Sequence, residues 1–146
     1  YNRRIRETNS VYTPQIIVQG SAQSSGTAKG RIEKAINKSW QPQPSARFRF
    51  FDEDDGARRV RVEGAIEPGA RVYYAIYWRE RQTAVNAGEN KNKHLTNINV
   101  VTKLVQLPQG VRDIILPAFD PAEQHCALWL QRGSAGRVLS AAKCPS

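Results

Sequence analysis

Apolar and polar residues alternate with a period of two through much of the chain after residue 45. Arg47-Phe48-Arg49-Phe50 and Val60-Arg61-Val62 place aromatic or branched side chains on one face and guanidinium groups on the other. That is the pattern of a half-buried strand. Similar short segments recur at 46–51, 58–64, 71–79, 111–116, 125–131 and 137–142. Turn-forming groups such as Asp52-Glu53-Asp54-Asp55-Gly56 and Glu67-Pro68-Gly69 separate several of them. Short strands at this spacing predict an antiparallel β-sandwich or small barrel over residues 46–146. Residues 95–107, LTNINVVTKLVQL, support two readings. Ile98, Val100, Thr102 and Leu104 share one face of a strand, whereas Leu95, Ile98, Val101 and Val105 share one face of a helix. The many β-branched residues favour the strand.

The first forty residues read differently. Residues 2–9 are polar and basic, as at the end of a helix. Residues 11–20, VYTPQIIVQG, carry strand chemistry, with Pro14 at the entry where its missing N–H is least costly. Ser24 and Ser25 offer N-caps for a helix over 26–40, whose apolar positions are Ala28, Ile32, Ala35 and Ile36. Lys34 and Lys38 lie toward its C-terminal end, where the dipole favours cations, while Gly30 opposes it. Gln41-Pro42-Gln43-Pro44 cannot continue a helix and predicts a stiff linker over 41–45. The expected class is α+β, mainly β.

Composition narrows the function classes. The chain is 40% hydrophobic and 24% charged, ordinary proportions for a globular protein. No run approaches the ~18 consecutive apolar residues of a spanning helix, so no integral membrane segment is expected. The net charge of +9 raises the question of a polyanion partner, but Arg3, Arg4 and Arg6 form the only tight basic run. Counterion release needs clustered cations, so the reading is a solvated basic surface and no nucleic-acid partner. Two cysteines, Cys126 and Cys144, have no CxxC spacing. With only His94 and His125 besides, they predict neither a metal site nor a cofactor.

The cysteines fit a disulfide. Residues 125–131 and 137–142 read as the arms of a hairpin around Arg132-Gly133-Ser134-Ala135-Gly136. With Ser134-Ala135 at the tip, Leu130 faces Leu139 and Cys126 falls within about one residue of Cys144. The competing reading is two separate buried thiols. A disulfide implies an oxidising compartment, hence a periplasmic or secreted location.

Two further clusters carry candidate chemistry. Gly88, Glu89, Asn90 and His94, within Gly88-Glu89-Asn90-Lys91-Asn92-Lys93-His94, combine groups capable of acid–base work. They are also the composition of a surface loop, and that is the favoured reading. Tyr73, Tyr74, Tyr77 and Trp78 must divide between the two faces of a strand, either as core or as a binding surface. Residues 52–56 lack the alternating ligands of a calcium loop and read as a hairpin turn.

Three blocks resemble one family, the uncharacterised secreted thioredoxin-like proteins of bacteria, a domain of unknown function. They are Val11-Tyr12-Thr13-Pro14-Gln15-Ile16-Ile17-Val18-Gln19-Gly20; Gly88-Glu89-Asn90 with Leu95-Thr96 and Asn99-Val100-Val101; and Cys126-Ala127-Leu128-Trp129-Leu130-Gln131 with Val138-Leu139-Ser140-Ala141-Ala142. The resemblance implies that residues 1–40 are the second half of a thioredoxin-like unit. Tyr12, Thr13 and a cis Pro14 would shape a groove beside a CxxC motif that this sequence lacks. A chain with no methionine that starts at Tyr1 sets the expectation that a first half precedes it or is supplied separately. Ile16, Val18, Ile32 and Ile36 would then contact that missing N-terminal half or another polypeptide. The expected function is that of a redox-inactive C-terminal portion of a secreted thioredoxin-like protein, with no catalytic residue of its own. The alternative is a non-enzymatic binding or structural module of an envelope or extracellular assembly.

Overall fold

Where the period-two pattern is strongest, its apolar half turns toward the core, half-buried at Phe48 and Phe50 and fully buried on the next strand. Val60 and Val62 are sealed in the interior, while Arg59, Arg61 and Glu63 between and beside them face solvent. The computed structural model describes residues 14–39, 44–52 and 58–145. The basic segment 2–9, Tyr12, Thr13, most of the predicted 41–45 linker and all but the first residue of the turn predicted over 52–56 lie outside the described residues.

The elements are β1 (Gln15–Val18), β2 (Ala22–Ser25), α1 (Lys29–Ser39), β3 (Ala46–Asp52), β4 (Arg58–Gly64), β5 (Ala70–Ala84), β6 (His94–Gln106), β7 (Asp113–Leu116), β8 (Gln124–Arg132) and β9 (Val138–Lys143). β3, β4 and β7 form one antiparallel sheet in that order. A second runs β6-β5-β8-β9. Their inner faces share one core. Val60, Val62, Ile114 and Leu116 come from the smaller sheet; Val72, Tyr74, Ile76, Leu128 and Leu130 come from the larger. This is two-sheet packing, and none of the sheets closes into a barrel. On the outside of the smaller sheet Arg61 Nε donates to Asp113 Oδ1 at 2.8 Å, an exposed pair that adds little stability.

Residues 95–106 lie in the strand β6, which resolves the helix-or-strand choice, but the expected shared face does not hold. The register with β5 shifts by one between Ile76 and Tyr77, so that Tyr77 opposes Val101 and Ile76 opposes Lys103. Thr102 is the extra residue, and its Oγ1 donates to the Ile76 carbonyl at 3.1 Å. The bulge reverses the inside–outside phase. Ile98 and Val100 therefore have the opposite facing from Leu104. A left-handed Asn99 (φ 55°) adds a second irregularity. Together with Lys103, these features guard an edge strand that carries Ile98 and Leu104 at 62% and 61% exposure.

β5 is longer than the predicted 71–79. Beyond Trp78 it leaves β8 and continues with β6 alone as an exposed two-stranded arm. Its residues Arg79-Glu80-Arg81-Gln82-Thr83 carry no apolar alternation, so only pairing reveals the strand. The aromatic run divides as a strand requires. Tyr74 joins the core, and Tyr73 and Tyr77 point the other way, yet all three are buried and Trp78 is half-buried, so of the two readings the structure favours packing over an exposed binding surface.

The terminal hairpin also departs by one residue from its expected register. Leu130 opposes Ser140 and Gln131 opposes Val138, leaving Leu139 as a bulge. That single inserted residue brings Cys126 opposite Cys144. Cys144 N–H donates to the Cys126 carbonyl at 2.9 Å, and a disulfide joins the two residues with 5.3 Å between their Cα atoms.

The helix predicted over 26–40 begins at Lys29. Ser24 lies within β2, and Ser25 organises the preceding turn, its Oγ standing 2.9 Å from Thr27 Oγ1. The first helical acceptor is the carbonyl of Ala28, so neither serine is the cap. α1 buries no residue.

β1 and β2 turn through Gln19 and Gly20, both at positive φ, and this turn meets the sandwich. The Val138 N–H donates to the Gln19 carbonyl at 2.8 Å. Gly20 lies so close to the Gly136 carbonyl that a Cβ would collide with it. Gly20→Ala is therefore expected to destabilise this junction by about 1–3 kcal/mol. Gly69 has a similar φ of 79° but open space around it, and Gly69→Ala should show only the backbone part, about 1 kcal/mol. Urea unfolding of the two variants checks this; equal losses would mean that the close approach does not matter.

Candidate functional site

The outer face of the four-stranded sheet is unusually apolar for a face turned away from the core. Register places Tyr73 opposite Trp129, Ala75 opposite Ala127 and Tyr77 opposite His125 across β5 and β8. On the far side of β8, Ala141 opposes Trp129 and Lys143 opposes Ala127. Two aromatic rungs thus flank a rung of alanines, leaving a shallow step between them.

The aromatic rungs are fixed by their own contacts. Tyr73 and Trp129 stack with ring centroids 5.4 Å apart and planes 9° from parallel. Tyr73 Oη donates to Gln106 Oε1 at 2.8 Å. Trp129 Nε1 donates to Gln131 Oε1 at 3.3 Å, and Gln131 Nε2 donates to the Gly136 carbonyl at 2.7 Å. This chain of bonds ties the indole to the hairpin turn that Gly20 touches. At the other end Tyr77 meets His125 at 6.1 Å and 44°. Partial burial lowers the pKa of His125, and the cationic Arg79 and Lys143 lower it further.

The β1–β2 turn rises beside this face and turns it into a groove of about 610 Å³. Ile17, Gln19 and Gly20 form one wall, Ala127 and Trp129 the floor, and Val138, Ala141 and Lys143 the other wall. Its lining is mostly apolar. Lys143 is the charged side chain in it and carries no ion pair among the described residues. The size and the mix of apolar surface with a few polar groups are those of small-ligand sites.

The sequence-predicted candidates lie elsewhere. Pro14 stands exposed at the head of β1, its carbonyl accepting from Gly26 N–H at 2.9 Å. Tyr12 and Thr13 are outside the described residues. Gly88, Glu89 and Asn90 sit in the loop at the tip of the β5–β6 arm, and His94 begins β6 opposite Ala84. The loop satisfies itself: Asn92 N–H donates to Val85 O at 2.8 Å, Lys91 N–H to Gly88 O at 3.1 Å, and Lys93 Nζ to Asn90 Oδ1 at 3.1 Å. All four candidates are exposed, and nothing there encloses a reacting group. Among the described residues no group of three or more His, Cys, Asp or Glu side chains could hold a metal ion, and no helix is long and apolar enough to cross a membrane.

The groove residues had one legible signal. In Cys126-Ala127-Leu128-Trp129-Leu130-Gln131 the alternation assigns Cys126, Leu128 and Leu130 to the core, leaving a tryptophan on the opposite face. The contribution of Gln19 and Gly20 depends on how the β1–β2 turn docks, which no local pattern encodes.

Fold and site together define an antiparallel two-sheet protein with a cross-strand disulfide and an added β-hairpin and helix. Residues 1–131 match the model of DUF1223, a family of proteins of unknown function, and the chain belongs to that family. No curated protein matches it. The family match ends within β8, so the β9 wall of the groove and Cys144 lie beyond it.

Proposed function

We propose that β1, β2 and α1 are the second half of a thioredoxin-like unit, completed by a polypeptide that carries the first half with its CxxC cysteines. On this reading the chain is the redox-inactive portion of a secreted or periplasmic protein and presents binding surface rather than a nucleophile. The observation that carries it is the bareness of this layer. Among the described residues the sheet has two strands, α1 buries nothing, and Ile36 and Ile16 stand 51% and 39% exposed. A two-stranded sheet with one uncovered helix is marginal in water. Of the four residues expected to meet a partner, Val18 is already buried within this chain, which leaves Ile16, Ile32 and Ile36 for the contact. The Ser24 hydroxyl, buried without a hydrogen-bond partner among the described residues, fits an unfinished layer too.

The placement of the cysteines supports the redox-inactive reading. Cys126 and Cys144 are buried and bonded to each other. Attack on a substrate disulfide needs an accessible thiolate with a resolving neighbour. The purified chain is expected to show no dithiol-coupled reductase activity and weak hydrogen-exchange protection in α1. A CxxC-bearing first half, added in trans or retained in natively isolated material, should raise α1 protection and bind with defined stoichiometry. A chain whose α1 is strongly protected by itself, or that ignores such a polypeptide, would refute the reading. The open groove favours a second reading, a binding module in an envelope or extracellular assembly that needs no redox partner.

A further inference from the structure

We propose that the groove between the β1–β2 turn and β9 binds a monomeric acyl-chain carboxylate, its hydrocarbon along Ile17, Ala127, Trp129 and Ala141 and its head group at Lys143. This goes beyond the reading above and does not depend on it, because residues of this chain alone form the groove. Three observations choose the ligand class. The volume, about 610 Å³, lies within the range of sites for single small molecules. The walls are apolar along most of their length, so they reward hydrocarbon and leave few unpaired polar groups against it.

The third observation is charge. Lys143 lies at the Ala127 end of the groove, and no carboxylate lines the cavity. Lys143 is the one charged side chain among the groove's lining residues, and it carries no ion pair among the described residues, so this end presents a single unpaired cation. The opposite end, at Gln19 and Val138, is closed by the hydrogen bond between the two walls. An anionic head therefore belongs at one end only. From Val138 to Lys143, β9 covers roughly 15 Å at about 3.3 Å per residue less one bulge. That matches an extended chain of about a dozen carbons. A cationic head group would meet Lys143 unfavourably, and a short anion would leave the apolar walls wet.

Isothermal titration of the whole chain with dodecanoate, dodecanol and acetate, all below micelle-forming concentrations, tests the assignment. Dodecanoate should bind one to one at micromolar concentrations, dodecanol about tenfold more weakly, and acetate not measurably. One charge-assisted contact of this kind corresponds to roughly that ratio. Lys143→Gln, at an exposed position, should reduce dodecanoate to the affinity of dodecanol. Ala141→Phe fills the groove from an exposed edge-strand site and should weaken both ligands at least tenfold, with an unchanged unfolding midpoint showing that it folds. No dodecanoate binding by the unaltered chain, equal affinity for acid and alcohol, or full affinity in Lys143→Gln would each overturn the proposal. So would full affinity in a folded Ala141→Phe.

Discussion

Reducing the Cys126–Cys144 disulfide is expected to lower the unfolding free energy by about 3 kcal/mol. The bond closes a loop with a sequence separation of 18, and the chain-entropy model assigns a loop of that size about 3 kcal/mol through the unfolded state. Location adds to the effect. β9 is an edge strand, held on one side by β8 and on the other by the Val138–Gln19 hydrogen bond. The disulfide pins its far end, and with it the Lys143 side of the groove. Urea unfolding of oxidised and reduced protein should show the midpoint fall by about 1–2 M at ordinary slopes for a chain of this size. The Cys126→Ala/Cys144→Ala double variant should behave like the reduced protein, because it leaves no stray polar atom where Cys126 is fully buried. A midpoint unchanged within error would mean that the reduced ensemble is already restrained, or that β9 contributes nothing to the cooperative unit.

The pairing of those cysteines illustrates what a sequence reveals. Turn chemistry at residues 132–136 and alternation on both sides predict the hairpin and bring the sulfurs to within a residue of each other. The last residue of offset is the bulge at Leu139, and bulges depend on tertiary fit as much as on local preference. The same holds for β6. Its β-branched content marks a strand, while Thr102 and Asn99 reset its facing through contacts with β5. The polar extension of β5 past Trp78 has no periodic signal because both its faces are wet. The Trp129 floor was legible as an aromatic on the wrong face of a strand. The groove above it was not, since it depends on a glycine turn more than a hundred residues away in sequence meeting the carbonyl of Gly136. The loop at 88–94 had the right chemical groups for acid–base work, yet lies at the end of an exposed arm where nothing excludes water or orients a substrate.

Leu128→Ala is expected to destabilise the protein by about 3–5 kcal/mol, as much as or more than loss of the disulfide. Leu128 is fully buried at the centre of β8, which is paired on both sides, to β5 and to β9. Backbone held in two ladders cannot move to collapse the cavity, so the cost belongs in the upper part of the usual range. Ile115 on β7 supplies the contrast. It is 70% exposed, and Ile115→Thr keeps its β-branch, so guanidinium unfolding should place that variant within about 0.5 kcal/mol of the parent. Hydrogen exchange should localise the Leu128 effect. Protection in β5 and β8 should fall by about two to three orders of magnitude, the equivalent of 3–4 kcal/mol. Amides of α1, which has no buried residue to couple it to the core, should exchange as before. If α1 lost protection in step with β8, the helix would belong to the same cooperative unit as the sandwich, and the layer proposed to await a partner would already be supported by this chain. A loss below about 1 kcal/mol would instead place the stabilising core somewhere other than between the two sheets.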